Sequence, residues 1–249
     1  MTARLSLAFP AKSKLLFGAF LLAVLFVAPQ SALADSVTFV SGTSWNVTDS
    51  SNTALGAAQA VCLNASSPTN CPSGATLWGY GGSGWGSNLS SIPGAVWIWA
   101  PGTTGSTTPV ELVAFTFTNT FVLAGTPLSG TIAISVDDYA EVYVNGNFVG
   151  SVGSTTNASL SGAAQSALTS FDLLPFLVSG NNTISVLGQN GQDSFAGCTN
   201  CSYSQHPAGV VFGGTLTSSG APQVPEPSTL VLVATGAIAS VLRKRKARK

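Results

Sequence analysis

All nine Lys and Arg residues of this 249-residue chain lie near its two ends, and none occurs between Asp35 and Gln223. That segment instead carries eight carboxylates, at Asp35, Asp49, Glu111, Asp137, Asp138, Glu141, Asp172 and Asp193. Salt bridges to Lys or Arg cannot stabilise it, so the fold depends on apolar burial, backbone hydrogen bonds, disulfides or bound cations. Because nucleic-acid-binding proteins neutralise phosphates with cationic side chains, the composition excludes nucleic acid as a partner.

Residues 1–34 have the order of a secretory signal peptide. Three basic residues come first, an apolar run covers residues 15–28, and Ala32-Leu33-Ala34 forms a small-x-small site. This order predicts export and cleavage before Asp35. A retained N-terminal anchor is the alternative, but the apolar run is shorter than the roughly 20 residues that a membrane span needs.

The other end has three features in a fixed order. The residues Val224, Pro225, Glu226 and Pro227 are followed by an apolar segment over residues 229–242 and a basic cluster over residues 243–249. Lys and Arg beside a span stay on the cytoplasmic side. We therefore predict a transmembrane helix at 229–242 that holds the chain in the membrane before processing. An ordinary tail anchor is the alternative.

These residues closely resemble the PEP-CTERM sorting signal, in which a Pro-Glu-Pro motif precedes a hydrophobic segment and an Arg-rich end. The resemblance implies that the sorting segment covers residues 220–249. It also implies an exosortase as partner, a membrane enzyme similar to cysteine proteases that cuts near the motif. The expected route is an inner-membrane-anchored precursor followed by the cell surface or the extracellular matrix.

Residues 35–219 are rich in Ser, Thr, Gly and Asn, which favours strands joined by turns. Ile132, Ile134 and Val136 alternate with smaller or polar residues, as in a half-buried strand. Val142 and Val144 lead into Asn145-Gly146, a two-residue hairpin signal. We expect one all-β domain with antiparallel sheets.

The segments 136–146, 171–177 and 180–186 resemble a galactose-binding-like jelly roll. This antiparallel jelly-roll β-sandwich occurs in many carbohydrate-binding modules and in accessory domains of glycoside hydrolases. The likeness covers roughly residues 110–217. It bears on the fold more than on the function, because such domains often serve only as scaffolds.

Four cysteines in an exported chain predict two disulfides, for which three connectivities exist. Proximity in sequence favours Cys62 with Cys71 and Cys198 with Cys201. A redox-active pair at Cys198 and Cys201, or a zinc site of four thiolates, would use the same residues.

A glycine-rich loop carries Trp78, Tyr80 and Trp85, and Asn88 follows it. Neutral sugars bind flat aromatic faces and amide groups, and glycines let the backbone approach a ligand. These four residues are therefore candidates for contact with a polysaccharide. The alternative is that the aromatic rings fold back and cover the core of the domain itself.

Asp137 and Asp138 are adjacent carboxylates at a turn, and an acidic domain without cations has reason to bind calcium through such oxygens. The alternative is a solvated acidic turn. The same carboxylates are conceivable as the acid and base of a glycoside hydrolase. His206, the single histidine, is expected to be a loop residue without a catalytic role.

We expect an exported, exosortase-processed protein of the cell surface or matrix that is not an enzyme. Its β-sandwich is expected to bind or associate with extracellular polysaccharide. A structural or adhesive matrix protein without a specific ligand is the main alternative, and a glycoside hydrolase is a more distant one.

Overall fold

The structure, a computed structural model, describes residues 34–63, 71–80, 85 and 91–220. Residues 1–33 of the expected signal peptide, Asn88, the motif at 224–227 and the expected helix at 229–242 lie outside these residues. Within the described ranges, no helix has the length and apolar character needed to cross a membrane. Residues 34–220 form one compact unit.

The described residues form thirteen β-strands. In chain order they are β1 (Asp35–Val40), β2 (Asn46–Asp49), β3 (Ala54–Ala57), β4 (Gln59–Cys62), β5 (Thr76–Leu77), β6 (Ile98–Trp99), β7 (Ala114–Leu123), β8 (Pro127–Asp137), β9 (Tyr139–Val144), β10 (Asn147–Gly153), β11 (Thr169–Asp172), β12 (Gly180–Gln189) and β13 (Gly209–Ser218). A single described α-helix, α1, spans Ala158–Ser166, and short 3-10 helices span Leu174–Phe176 and Asp193–Phe195.

The strands make two sheets. One has the order β11-β8-β13-β6-β4-β5, with β1 also paired to β13. The other has the order β10-β9-β12-β7-β2-β3. The strand pairs are antiparallel except β4 with β5. This is the antiparallel jelly-roll β-sandwich that the sequence predicts.

The alternation of apolar residues puts one face of each central strand into the core. Ile132, Ile134 and Val136 of β8 are fully buried, as are Val142 and Val144 of β9. Because successive side chains in a strand point to opposite faces, the intervening residues lie on the other face, where Glu141 and Tyr143 of β9 are partly exposed and Ser135 of β8 is buried against α1. The predicted alternation is confirmed in both strands. The half-buried pattern holds for β9, but at the end of β8 Ser135 and Asp137 are buried as well.

The turn between β9 and β10 has the predicted geometry. Asn145 and Gly146 have φ angles of 53° and 79°, which is the left-handed conformation that a type I′ hairpin turn requires at both central positions. The Asn145 side chain also accepts a hydrogen bond from the Thr183 backbone N–H at 2.9 Å. The hairpin is thereby joined to the neighbouring strand β12.

Helix α1 was not predicted, because its sequence contains Ser and Gly, which are weak helix formers. Asn157 caps its first turn by accepting hydrogen bonds from the backbone N–H groups of Ser159 and Leu160. On the opposite side, Ser135 of β8 donates to the carbonyl of Ala164 at 2.6 Å. Tertiary contacts therefore hold this helix against the first sheet.

Both expected disulfides are present. Cys62 pairs with Cys71, and their Cα atoms are 5.6 Å apart. Cys198 pairs with Cys201, and their Cα atoms are 5.7 Å apart. The preferred connectivity is confirmed.

Candidate functional site

A cavity of about 160 Å³ lies at the end of the sandwich where β8 passes into β9. Its walls come from this strand junction, α1, the 3-10 helix Asp193–Phe195 and the loop before β13, together with Leu63 after β4 and Tyr80 after β5. The side chains that give it chemical character are Tyr80, Asp137, Asp138, Gln165, Phe195 and His206. The acidic pair Asp137 and Asp138 thus lies beside one aromatic residue of the glycine-rich loop.

Asp137 is buried, and both of its carboxyl oxygens are engaged. The Trp85 indole N–H donates to Oδ2 at 2.9 Å, and the Gln165 side-chain amide donates to Oδ1. Burial raises the pKa of Asp137 well above its ordinary value, and the adjacent negative charge of Asp138 raises it further. Asp137 is therefore the member of the pair that keeps its proton.

Asp138 is equally buried but surrounded by more donors. Its Oδ2 accepts from the Gly191 backbone N–H at 2.7 Å and contacts His206 Nε2 at 3.1 Å, while Ser161 donates to Oδ1. Burial opposes the charge, but hydrogen bonds from His206, Asp137, Ser161 and Gly191 outweigh it and lower the pKa of Asp138. The pair therefore shares one proton and one negative charge.

Gly191 is required by this close approach. A Cβ atom at this position would lie 2.8 Å from Asp138 Oδ2 and 2.6 Å from the Phe195 ring. Only a residue without a side chain lets the backbone N–H reach the carboxylate.

His206 lies in a loop, as expected, but it is buried between two carboxylates rather than exposed. Its side chain is 5% exposed, and its Nδ1 lies 3.6 Å from Asp193 Oδ1 on the side opposite Asp138. The sequence contains a feature from which the burial of His206 beside carboxylates could have been predicted. In a segment with eight carboxylates and no Lys or Arg, the single histidine is the one side chain that can carry a positive charge to buried acids.

The expectation of ligand contact was wrong for two of the tryptophans. Trp78 is 0% exposed, stacks on Tyr203 with ring centroids 4.6 Å apart, and donates to the Ala208 carbonyl. Trp85 is 5% exposed and stacks on Trp97 at 4.3 Å. Both indole rings pack in the core. Of the three aromatic candidates in this loop, half-buried Tyr80 is the one that lines the cavity.

The geometry also opposes the expected calcium site at Asp137 and Asp138. Calcium binds six to eight oxygen atoms, whereas these carboxylates already accept hydrogen bonds from N–H groups of Trp85, Gln165 and Gly191. A calcium ion would have to displace these donors. The alternative of a solvated turn is wrong too, because both residues are buried.

Comparison with known families matches residues 223–246 to the PEP-CTERM protein-sorting motif. No curated protein matches the chain. Among solved structures, an α-L-rhamnosidase of Streptomyces avermitilis complexed with L-rhamnose is 22% identical with a TM-score of 0.39, and the match covers 69% of this chain and 13% of that one. A β-glucuronidase of Bacteroides uniformis is 15% identical with a TM-score of 0.33, over 72% of this chain and 18% of that one.

A β-D-mannosidase of Dictyoglomus thermophilum is 14% identical with a TM-score of 0.29, over 42% of this chain and 16% of that one. The chain thus spans less than a fifth of the length of each of these three proteins. The family match falls on the segment whose Pro-Glu-Pro motif, apolar run and basic end were recognised in the sequence. This chain carries a PEP-CTERM protein-sorting motif at residues 223–246, the signal of exported proteins that an exosortase recognises.

Proposed function

We propose that this protein is delivered to the cell surface or the extracellular matrix, where the cavity at the end of its β-sandwich binds a neutral sugar unit of extracellular polysaccharide. The observation that carries the proposal is the composition of the cavity wall. The rings of Tyr80 and Phe195, the amides of Gln165 and Gln205, and the charged Asp138 surround one small space.

This combination suits a neutral sugar for two reasons. Aromatic rings pack against the C–H faces of a pyranose, while amides and carboxylates bond its hydroxyl groups. Charged polysaccharides suit the cavity less well, because the segment 35–223 has no Lys or Arg to pair with their anionic groups. The cavity has room for one sugar unit rather than a long chain.

We further propose that binding is not followed by hydrolysis. A glycosidase needs two carboxyl groups on opposite sides of the scissile bond, with one free to attack or to activate water. Asp137 and Asp138 are neighbours in sequence, and their oxygens are held by donors from Trp85, Gln165 and Gly191. The pair then serves to hold Gln165 and His206 in place at the wall of the cavity.

The test is a glycan array with the purified exported protein, followed by calorimetric titration of the best glycan. Tyr80→Ala is expected to weaken binding about tenfold, since the loss of one aromatic stacking contact costs about 1.4 kcal/mol. Phe148→Ala is the matched control. Phe148 is also aromatic and is 53% exposed, but it packs on Tyr143 of the second sheet, and it does not line the cavity.

Binding that is lost in Phe148→Ala and kept in Tyr80→Ala would place the ligand on the second sheet and overturn the cavity assignment. The absence of any bound glycan would favour a structural or adhesive matrix protein. Release of reducing sugar during the titration would favour a hydrolase.

A further inference from the structure

The loop between β12 and β13 brings together ligand atoms that the sugar-binding proposal does not use. Asp193 Oδ1, Cys201 Sγ and His206 Nδ1 all lie within 4.8 Å of one another, and all three residues are buried. Among the described residues, no other group of His, Cys, Asp and Glu side chains meets in this way.

Two of these atoms lack any hydrogen-bond partner. Asp193 Oδ1 and His206 Nδ1 make no hydrogen bond, and the two side chains are only 7% and 5% exposed. Unpaired buried polar atoms cost free energy, and a native protein rarely tolerates them without a reason. Their separation of 3.6 Å falls in the range of about 3.3–3.8 Å expected between two ligands of one tetrahedral zinc ion.

The surroundings of His206 fit a metal ligand. Its Nε2 faces the Asp138 carboxylate at 3.1 Å, which holds the ring with Nδ1 directed to Asp193. Histidines that bind zinc commonly place their second nitrogen on a carboxylate in this manner. On the other side, the backbone N–H of Cys201 donates to Asp193 Oδ2 at 3.1 Å and leaves Oδ1 free.

Cys201 is bonded to Cys198 in the structure, so its sulfur is not available as a thiolate in this form. Reduction would free the Cys201 sulfur beside Asp193 and His206, and the Cys198 sulfur next to it. The spacing Cys-x-x-Cys is the usual one for two zinc ligands on one short loop. The four side chains lie within fourteen residues of sequence, from Asp193 to His206.

We propose that the reduced chain binds one zinc ion through Cys198, Cys201, His206 and Asp193, and that oxidation of the two cysteines expels it. The loop then has two alternative cross-links, a zinc ion when reduced and a disulfide when oxidised. His206 borders both this site and the cavity, but the zinc proposal does not rest on sugar binding and is tested without a glycan.

The exchange balances with a disulfide compound as the oxidant. The two zinc-bound thiolates lose two electrons and form the Cys198–Cys201 bond, and zinc leaves as Zn²⁺. The S–S bond of the oxidant breaks, and its two sulfurs accept the two electrons and take up two protons from water.

The experiment uses the full-length protein in detergent, reduced by a phosphine without oxygen and titrated with Co²⁺ as the probe. The expected result is the visible absorption of tetrahedral Co²⁺ together with a thiolate-to-cobalt charge-transfer band, both abolished by added Zn²⁺. Oxidised glutathione is expected to remove the spectrum as the disulfide forms. Co²⁺ that remains bound with thiolate bands after oxidation would overturn the proposed exchange.

The chain supplies its own matched control. Replacing Cys198 and Cys201 by Ser is expected to abolish the spectrum, whereas replacing Cys62 and Cys71 by Ser is expected to leave it intact. Absence of the bands in the unsubstituted protein, or equal loss in both double variants, would overturn the site.

A second variant guards against loss of folding in the first. Asp193→Asn keeps an oxygen for the Cys201 N–H and removes the charged ligand. It is expected to weaken Co²⁺ binding at least tenfold with the charge-transfer band retained. Unchanged affinity would remove Asp193 from the ligand set and overturn the proposal.

Discussion

Asparagine substitutions at Asp137 and Asp138 are expected to have opposite effects, although the two residues are neighbours and both are buried. An asparagine at 137 resembles the protonated acid that the structure favours there. Its oxygen can still accept from Trp85, and its NH₂ group can donate to the oxygen of Gln165 once that side-chain amide turns over. An asparagine at 138 removes the charge that Gly191, His206 and Ser161 surround.

The cost at Asp138 follows from its donors. The side-chain amide of an asparagine has one oxygen and one NH₂ group. If the NH₂ group faces Gly191, the backbone N–H loses its acceptor; if it faces Ser161, the hydroxyl must turn to accept, and the charge beside His206 is still lost. The loss of a charge-assisted hydrogen bond with an unpaired donor left behind costs about 1.5–3 kcal/mol, and we expect about 3 kcal/mol for Asp138→Asn. In a domain of this size that lowers Tm by about 10 °C.

The dependence on pH gives a second and sharper difference. The pKa of Asp137 is raised in the folded protein, so the unfolded chain loses this proton first, and stability falls as pH rises from about 4 through the folded pKa. Asp137→Asn removes this loss. The pKa of Asp138 is lowered, so its contribution is present above about pH 4 and is lost as pH falls through the folded pKa.

The assay is urea unfolding of the exported protein with its disulfides intact, followed by tryptophan fluorescence between pH 5 and pH 7. Asp137→Asn is expected to gain stability relative to the unsubstituted protein as pH rises over this interval. Asp138→Asn is expected to lose stability at every pH in it. Equal losses in both variants would refute the assignment of the proton to Asp137.

Two further predictions concern parts of the domain away from the cavity. Asn182 is buried, and its side chain makes four hydrogen bonds: with the Val178 N–H and carbonyl, the Gly180 carbonyl and the Asn145 amide. Asn182→Ala is expected to lower the free energy of unfolding in urea by about 2–3 kcal/mol. The control Asn181→Ala, at an exposed position, is expected to leave it nearly unchanged. Similar values for the two variants would contradict the role given to Asn182. The hydrogen bond to Glu141 raises the pKa of Tyr143 to about 12, so its share of stability is lost as pH rises from about 10 toward 12. In Glu141→Gln, NMR titration of the ring is expected to show a lower pKa, and an unchanged value would refute this cause.

Much of the framework was predictable because it depends on neighbours in sequence. Strand alternation follows from the period of two, and Asn145-Gly146 adopts positive φ angles that few other pairs tolerate. Each disulfide joins cysteines at most nine positions apart. The sorting motif at residues 223–246 is likewise a local sequence pattern. Helix α1 was missed because its own propensity is weak and its packing on β8 supplies the stability.

The site was decided by tertiary structure. Trp85 and Asp137 are 52 residues apart, and Asp138 and His206 are 68 apart, yet hydrogen bonds join each pair. Composition alone could indicate that buried acids would need the single histidine, but not which acids. It also could not tell Tyr80, at the cavity, from Trp78, which is sealed in the core. Burial and the partners of each polar atom arise only when the sheets close over one another, because the free energy of a buried charge depends on every group packed around it.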